Sequence, residues 1–343
     1  MVASSEGCNR SQICDPDRHC DAKWSRRPVT TPPLAWVVGS RGLLGSAVVR
    51  QLATQGIKVH AATVSWSDVD RAIEDFSGAI ADYSALVGGS PWHVYWCAGA
   101  STTASTRAEL DHELAVLQNA LAKIGEAHLT SSSNRIGLFL ASSAGAVYSG
   151  AMNPPFTEFT VAQPLAEYGR AKLDAEKACR DFSTAYDADL FVGRIANLYG
   201  PGQNLWKAQG LVTALVKAVV TGESVRLYVP MDTKRDFIYS RDCAEMVVQG
   251  LSRIMEMSSS GGQIVTKILA SGQAISLKEL IFRVERVLGA AVPLQHVSSP
   301  ASAGQSPDLT FESKVMTELS SAVVTSLDEG IASVYDSIKD SLG

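Results

Sequence analysis

The spacing of hydrophobic residues predicts a chain in which strands and helices alternate. Four short apolar runs bounded by turn residues are typical of buried strands: 34–38, 57–64, 94–97 and 136–140. Apolar residues recur every three or four positions, as in helices that pack on one face, over 44–52, 69–86, 107–124 and 173–186. Strands that alternate with helices in this way predict an α/β fold with a parallel sheet covered on both faces.

One stretch is too short for the usual pattern of such a sheet. A single helix, predicted over 69–86, is the only element that fits between the second strand and the third. The corresponding half of a doubly wound sheet normally holds a further strand at this point. We therefore expect the sheet to have one strand fewer on that side.

The second half of the chain continues with alternating patterns. Helical stripes are predicted within 211–219, 243–254 and 277–288, and a strand within 261–270. Serine, alanine, glycine and proline dominate 298–307, which predicts a loop. The last helical pattern, around 328–342, is expected to lie exposed and loosely held.

Composition is that of an ordinary soluble globular protein, because 46% of the 343 residues are hydrophobic and 19% are charged. The formal net charge of -5 gives no electrostatic reason to expect nucleic acid or an anionic membrane as a partner. No apolar run approaches the length of a membrane span. Residues 1–33 are polar and lack the apolar core of a secretory signal, so we expect a disordered leader and a cytoplasmic protein.

The six cysteines do not indicate a metal site. Three of them lie in the polar leader near His19, at intervals that do not match a zinc-binding pair: Cys8, Cys14 and Cys20. The other three fall within apolar patterns, where a reduced cysteine acts as a small hydrophobic residue: Cys97, Cys179 and Cys243. We predict no metal site.

Glycines at three-residue intervals, Gly39, Gly42 and Gly45, follow the first predicted strand. Glycine adopts positive φ and lets a backbone approach a ligand without a side chain in the way. At the start of a helix, such a turn places backbone amides around a pyrophosphate. Ala98 and Gly99 end the third strand with small residues, which suits a close cofactor and equally suits a plain strand end.

Hydroxyl groups cluster at the end of the fourth strand, where Ser142 and Ser143 stand at the edge at which open α/β sheets bind ligands. The next predicted helix begins with Tyr168 and Lys172, whose spacing of four places them on one face. A phenol ordinarily has a pKa of about 10, too high for a base at neutral pH, and an adjacent ammonium group favours its ionised form. Tyr168 is therefore a candidate to exchange a proton with a substrate hydroxyl or ketone.

Two later segments complete a resemblance to a known family. Residues 193–203 read Gly-Arg-Ile-Ala-Asn-Leu-Tyr-Gly-Pro-Gly-Gln, and residues 235–242 begin Arg-Asp-Phe-Ile-Tyr and end in Asp. With the Gly-x-x-Gly-x-x-Gly turn and the Tyr-x-x-x-Lys pair, they resemble the extended short-chain dehydrogenases/reductases, especially the nucleotide-sugar epimerases, dehydratases and reductases. The resemblance runs from about Leu34 to about Leu319.

This resemblance implies a Rossmann-type doubly wound parallel sheet with a smaller C-terminal α/β substrate-binding region. It implies an NAD(P)-binding domain over 34–195, to which parts of 230–260 return. A substrate-binding region would follow over 196–320, and a C-terminal tail helix over 321–343.

The resemblance also implies roles for individual residues. Tyr168 and Lys172 would transfer the proton and hold the nicotinamide ribose, while Ser143, or Ser142 if the register differs by one, would orient the reacting oxygen. The cofactor would contact the glycine turn and the ends of two strands: Gly39, Ser40, Arg41, Gly42, Leu43, Leu44, Gly45, Ala98, Gly99 and Ile195. The substrate would contact Asn197, Arg235 and Lys207.

The chain departs from the family pattern at several points. The family's acid after the second strand is absent, because residues 63–65 read Thr-Val-Ser. Arg41 in the glycine turn would instead hold a 2′-phosphate, which favours NADP over NAD. Ala144 stands four residues before Tyr148, where many members carry the catalytic hydroxyl. The asparagine that members often carry at position 113 or 114 is also absent.

Three functions remain open from the sequence. The first is an enzyme that oxidises a sugar hydroxyl with bound nicotinamide cofactor and then returns the hydride, as an epimerase or dehydratase does. The second is a reductase that consumes NADPH to reduce a keto-sugar or another small carbonyl compound. The third is an NADP-binding regulatory protein without chemistry, which Ala144 keeps open. The expected partner is a nucleotide-sugar or a related small molecule, and a homodimer is left open.

Overall fold

The structure is a computed structural model that describes residues 34–66, 68–99, 101–133, 135–205, 210–257, 261–297 and 306–342. All of these residues belong to one unit, Pro32–Gly343. The predicted leader with its three cysteines, Lys207 and most of the predicted loop over 298–307 lie outside the described residues. The domain boundary expected after residue 195 stays a prediction.

Strands and helices alternate as the apolar pattern predicts. The first elements are β1 (Leu34–Val38), α1 (Leu43–Thr54), β2 (Lys58–His60), α2 (Val69–Val87), β3 (Trp92–Trp96), α3 (Arg107–Thr130), β4 (Ile136–Ser143), α4 (Ala144–Val147), α5 (Glu167–Tyr186) and β5 (Asp189–Ile195). The later elements are β6 (Asn197–Tyr199), α6 (Leu211–Thr221), β7 (Val225–Leu227), β8 (Lys234–Tyr239), α7 (Ser240–Met257), β9 (Ile264–Leu269), β10 (Ala274–Ser276), α8 (Leu277–Leu288), β11 (Leu294–His296), β12 (Asp308–Leu309) and α9 (Leu327–Leu342).

Six parallel strands form the central sheet, in the order β2-β1-β3-β4-β5-β9. Within the described residues no strand lies beyond β2, which confirms the expectation of one strand fewer on that side. The second strand is shorter than predicted, because the chain leaves the sheet after His60. The backbone amide of Ser65 then donates to Asp75 of α2 at 2.8 Å instead of to a neighbouring strand.

Helices cover both faces of this sheet. On one face, α2, α3 and α5 pack over a core that includes Phe76, Leu121 and Phe182. On the other face, α1 and α7 pack over a core that includes Val48 and Val247. The doubly wound arrangement brings the carboxyl ends of β1, β3, β4 and β5 to one edge, where such sheets bind ligands.

A smaller group of elements follows β5. Strands β6, β8, β10 and β12 form a second sheet, β7 pairs with β11, and α6, α8 and α9 pack around a third core. The expectation that the last helix is exposed and loosely held is wrong. Its apolar stripe of Ile331, Val334 and Ile338 is at most 3% exposed, because it faces this third core.

Strand β9 forms the far edge of the central sheet, and side chains meet its backbone there. The carboxylate of Glu158 accepts a hydrogen bond from the backbone amide of Ile268 at 2.9 Å and from the hydroxyl of Ser313 at 2.5 Å. The buried ammonium group of Lys267 donates to Ser313 Oγ and to the carbonyl oxygen of Val315, each at 2.7 Å. These contacts fasten the segment that follows β12 to the edge of the sheet.

Cys97, Cys179 and Cys243 are free thiols, as predicted. Burial raises the pKa of each thiol, so they act as small hydrophobic residues. None of the helices in the described part of the chain is long and apolar enough to cross a membrane.

Candidate active site

The glycine turn joins β1 to α1 by a close approach of backbones. Gly39 has φ = +81°, and a methyl group at this position would lie 2.8 Å from the backbone of Ala98. At Gly45, a methyl group would lie 2.1 Å from the carbonyl oxygen of Gly39. Helix α1 has no side-chain cap, which leaves its first backbone amides, those of Leu43 and Leu44, to bind an anion. The turn therefore fits the pyrophosphate of a dinucleotide.

Arg41 is exposed in this turn and faces the loop that follows β2. One of its Nη atoms lies 3.4 Å from the hydroxyl of Thr63. Arg41 takes part in none of the ion pairs found among the described residues. The loop itself, residues 61–66, contains no aspartate or glutamate. The loop therefore brings the Arg41 guanidinium beside the turn without an acid of its own, and the nearby Asp75 of α2 is bound to the backbone amide of Ser65.

A cavity of about 40 Å³ lies beside the end of β3. Its lining includes Ala98 and Gly99 after β3, Glu113 of α3, and Tyr168 and Lys172 of α5. A methyl group at Gly99 would lie 3.5 Å from Nζ of Lys172 and 4.0 Å from Oε2 of Glu113. The ammonium group of Lys172 and the carboxylate of Glu113 therefore both lie close to the backbone at this strand end.

Tyr168 and Lys172 are half-buried in the first turns of α5. Nζ of Lys172 lies 5.4 Å from the centre of the Tyr168 ring. The structure thus places side by side the two residues to which the sequence assigns proton transfer.

Ser143 ends β4 and begins the short helix α4. Its hydroxyl accepts a hydrogen bond from the backbone amide of Ala146 at 3.3 Å. The carbonyl oxygen of Ala146 abuts α5, since a methyl group at Gly169 would lie 2.5 Å from it. Because Gly169 follows Tyr168 in α5, one short helix connects Ser143 to Tyr168. Ile195, at the end of β5, is the neighbour of Ser143 in the sheet.

Ser142 has surroundings different from those of Ser143, because its side chain points into the interior. It is 5% exposed, and its hydroxyl donates to Oε1 of Glu176 at 2.7 Å. Glu176 also accepts from Nε and Nη2 of Arg194, at 2.9 and 2.7 Å. Of the two serines, only Ser143 stays partly exposed at the sheet edge, which favours Ser143 as the group that meets a substrate.

Arg235 of β8 and Asn197 of β6 lie on neighbouring strands. Burial lowers the pKa of the Arg235 guanidinium to about 10, and Arg235 is absent from the ion pairs among the described residues. Two acids of the same segment, Asp236 and Asp242, accept hydrogen bonds from the loops after β9 and before α9 instead. Asn197 donates to the carbonyl oxygen of Asp236 at 2.8 Å, which holds its amide beside β8. The charge of Asp308 opposes the lowering of the Arg235 pKa, but the Asp308 carboxylate forms its ion pair with Lys234, at 3.3 Å. A half-buried guanidinium that forms no ion pair among the described residues is suited to an anionic ligand.

No motif in the sequence assigns a role to Glu176 or Arg194. A spacing signal for Glu176 was present, because it follows Lys172 by four positions and so continues the helical face that begins at Tyr168. An acidic residue on the inner face of an amphipathic helix requires a buried partner. Which residue supplies that partner depends on how β5 lies against α5.

Comparisons with known proteins agree with the family resemblance of the sequence. The model of the NAD dependent epimerase/dehydratase family matches residues 35–263. The dTDP-4-dehydro-6-deoxyglucose reductase of Escherichia coli is 28% identical over 204 residues, which cover 59% of this chain and 61% of that protein. The GDP-L-fucose synthase of Sinorhizobium fredii is 26% identical over 324 residues, which cover 88% of this chain and 94% of that protein.

A solved structure with a similar fold is that of MoeE5 in complex with UDP-glucose and NAD. It has a TM-score of 0.71 and 19% sequence identity, and the match covers 91% of this chain and 100% of that chain. This likeness confirms the predicted Rossmann-type fold. The family match covers more than half of the chain and includes the glycine turn, the Tyr168 and Lys172 pair and Arg235. The chain therefore belongs to the NAD dependent epimerase/dehydratase family.

Proposed function

We propose that the protein is an NAD(P)-dependent enzyme that oxidises or reduces a hydroxyl or keto carbon of a nucleotide-sugar, as epimerases and dehydratases do. The observation that carries this proposal is the pairing of Tyr168 with Lys172, 5.4 Å from ammonium to ring centre, in a cavity beside Gly99. The names of the relatives support the substrate class, since they include a dTDP-sugar reductase and a GDP-fucose synthase. The MoeE5 complex with UDP-glucose and NAD supports it as well.

The residues around the glycine turn fit a dinucleotide cofactor. Any side chain at Gly39 or Gly45 would push apart the backbones that form the pyrophosphate cradle. When bound, the cofactor supplies or accepts the hydride. Lys172 would hold the nicotinamide ribose, and the small residues Ala98 and Gly99 would line the same cavity.

Tyr168 exchanges the proton in this proposal. Its phenol oxygen takes the proton of the substrate hydroxyl as the carbon is oxidised, and returns a proton to the ketone oxygen when the carbon is reduced. Ser143 orients the same substrate oxygen through a hydrogen bond. Arg235 and Asn197, together with Lys207, hold the diphosphate. The support for this role is that the Arg235 guanidinium is half-buried and forms no ion pair among the described residues.

Replacement of Tyr168 by phenylalanine tests the mechanism, because it removes only the oxygen that exchanges the proton. Turnover with a panel of UDP-, dTDP- and GDP-sugars should be lost in Tyr168→Phe, while titration with NADPH should give the parent affinity. Turnover that survives in this variant would contradict the mechanism. A purely regulatory NADP-binding protein predicts instead that the parent itself converts none of these substrates.

We favour NADP over NAD as the cofactor. The support comes from Arg41, which lies 3.4 Å from Thr63 and faces no acid in the loop 61–66. An Arg-phosphate contact is charge-assisted, so Arg41→Ala should weaken NADPH binding by about 1.5–3 kcal/mol, or roughly ten- to a hundredfold. NADH binding should hardly change, because NADH has no 2′-phosphate. Equal losses of affinity for NADPH and NADH would contradict the NADP assignment and favour NAD as the cofactor.

A reductase that consumes NADPH is the second candidate, and the absence of an acid in the loop 61–66 favours it. The two candidates differ in whether the cofactor is used up. Net oxidation of NADPH in the presence of a nucleotide keto-sugar supports the reductase, and product formation without net oxidation supports the epimerase. A cytoplasmic location and a homodimer stay predictions from the sequence.

A further inference from the structure

The helical face that carries Tyr168 and Lys172 continues to Glu176, four residues further along α5. We propose that Glu176 is a positioning residue that sets where Tyr168 stands relative to Ser143. The inference rests on the proposed function, because it concerns the placement of the group that exchanges the proton.

The carboxylate of Glu176 connects α5 by hydrogen bonds to the ends of two neighbouring strands. Glu176 is 3% exposed and accepts a hydrogen bond from Ser142 of β4 at 2.7 Å. It also accepts two from Arg194 of β5, at 2.9 Å from Nε and 2.7 Å from Nη2. Ser142 and Arg194 are partners in the sheet register, so the carboxylate spans adjacent positions of β4 and β5. A bidentate contact of this kind fixes the orientation of both side chains.

Arg194 extends the same connection to α4. Its Nη1 donates to the hydroxyl of Tyr148 at 2.6 Å, and its guanidinium lies 5.2 Å from the centre of the Tyr148 ring. Tyr148 follows α4 directly, and the first turn of α4 is capped by Ser143. The helix of Tyr168 and the strand end of Ser143 are therefore attached to one carboxylate.

The burial of the pair makes this attachment stiff. Arg194 is 8% exposed and Glu176 is 3% exposed, so neither charge can separate from the other and remain solvated. Proton transfer needs the donor and acceptor oxygens within hydrogen-bond reach, and an error of about 1 Å in position can lower the rate by about a hundredfold. A buried charge pair that holds both α5 and the end of β4 can keep the two oxygens within this limit.

A double-mutant cycle in the full-length protein tests the proposal. Glu176→Gln keeps the size of the side chain and removes its charge. We expect kcat to fall by about ten- to a hundredfold, with the KM for substrate and the Kd for NADPH each changing by less than about threefold. In a Ser143→Ala background, the same substitution should lower kcat by less than about threefold, because the oxygen contact that Glu176 positions is already missing.

Ser142→Ala extends the test to a variant without an unpaired buried charge. It removes one of the three hydrogen bonds of Glu176 and should lower kcat by about three- to tenfold, also without a change in Kd for NADPH. Ser183→Ala is the matched control. Ser183 lies on the same helix, is 1% exposed and donates its hydroxyl to the carbonyl oxygen of Ala188 at 2.5 Å. This control should lower Tm to a similar extent and leave kcat unchanged.

Two opposite results have different meanings for Glu176 and for the proposed function. If Glu176→Gln and Ser142→Ala lower Tm but keep the parent kcat, or if their losses multiply fully with that of Ser143→Ala, Glu176 only stabilises the fold and the proposal is wrong. Full activity of Tyr168→Phe would overturn the proposed function itself, independently of Glu176.

Discussion

Replacement of Gly45 by alanine should weaken cofactor binding, because the turn has no room for a methyl group. The added carbon would lie 2.1 Å from the carbonyl oxygen of Gly39, 2.8 Å from its carbonyl carbon and 3.0 Å from Cα of Ser40. All three are backbone atoms, so the contact cannot be relieved by rotation of a side chain. Restoring an ordinary van der Waals contact requires the turn and the start of α1 to separate by about 1 Å.

The expected loss follows from what the turn does. A shift of about 1 Å takes backbone amides of α1 beyond the 2.7–3.2 Å range of an N–H···O hydrogen bond to the pyrophosphate. Hydrogen bonds to charged groups contribute about 1.5–3 kcal/mol each, so losing one of them weakens binding by roughly ten- to a hundredfold. The overpacked turn should also lower the free energy of unfolding by about 1–3 kcal/mol.

Calorimetric titration with NADPH and with NADH measures this effect. Both nucleotides carry the pyrophosphate, so both affinities should fall by the same factor, unlike in Arg41→Ala. Gly78→Ala is the matched control, because Gly78 lies inside α2 and a methyl group there meets nothing within 4 Å. That control should keep the parent affinity and raise the free energy of unfolding by up to about 1 kcal/mol. A folded Gly45→Ala protein with the parent affinity would refute the assignment of the turn.

Three further predictions concern other parts of the molecule. Lys172→Met should lower both turnover and NADPH affinity, since Lys172 lies beside the Tyr168 phenol and holds the nicotinamide ribose in the proposal. An unchanged NADPH affinity in the titration would show that Lys172 does not hold the ribose. Ile338→Ala should lower the free energy of unfolding in urea by about 2–5 kcal/mol, because Ile338 is 3% exposed in the third core, and a loss below about 0.5 kcal/mol would show that α9 is not part of that core. Burial, aided by the charge of Arg135, lowers the pKa of His93 from 6.5 to about 4. Between these two pH values, His93 is protonated in the unfolded chain and neutral in the folded chain. The free energy of unfolding should therefore fall as pH drops from about 6.5 towards 4, by up to about 1.4 kcal/mol per pH unit, and His93→Gln should flatten this dependence in a urea titration series. Equal slopes in the parent and the variant would contradict the assignment.

The sequence was informative where local rules leave few options. Gly39 and Gly45 stand at positions where a side chain would strike backbone, and their spacing between a predicted strand and a predicted helix indicates the turn. Tyr168 and Lys172 are four residues apart, so they lie on the same face of the helix whatever the rest of the fold is. The missing strand could be predicted as well, because the chain between β2 and β3 has the length of one helix and its connections.

Long-range packing decided what the sequence did not. The apolar stripe of α9 is visible in the sequence, but the third core that receives it is built by α6 and α8 from more than forty positions earlier in the chain. Glu176 and Arg194 are eighteen positions apart and meet only because α5 packs against β5. The surroundings of Ser142 and Ser143 also differ for this reason, since the two lie on opposite faces of β4.

The two edges of the central sheet bear on how the protein behaves at high concentration. An open edge presents unpaired N–H and C=O groups, with which a strand from another molecule can pair and start aggregation. At one edge β2 has three residues and begins with the exposed Lys58. At the other edge the Glu158 carboxylate already binds the amide of Ile268. A second molecule would meet a charged side chain at either edge, so the sheet resists growth by edge-to-edge addition.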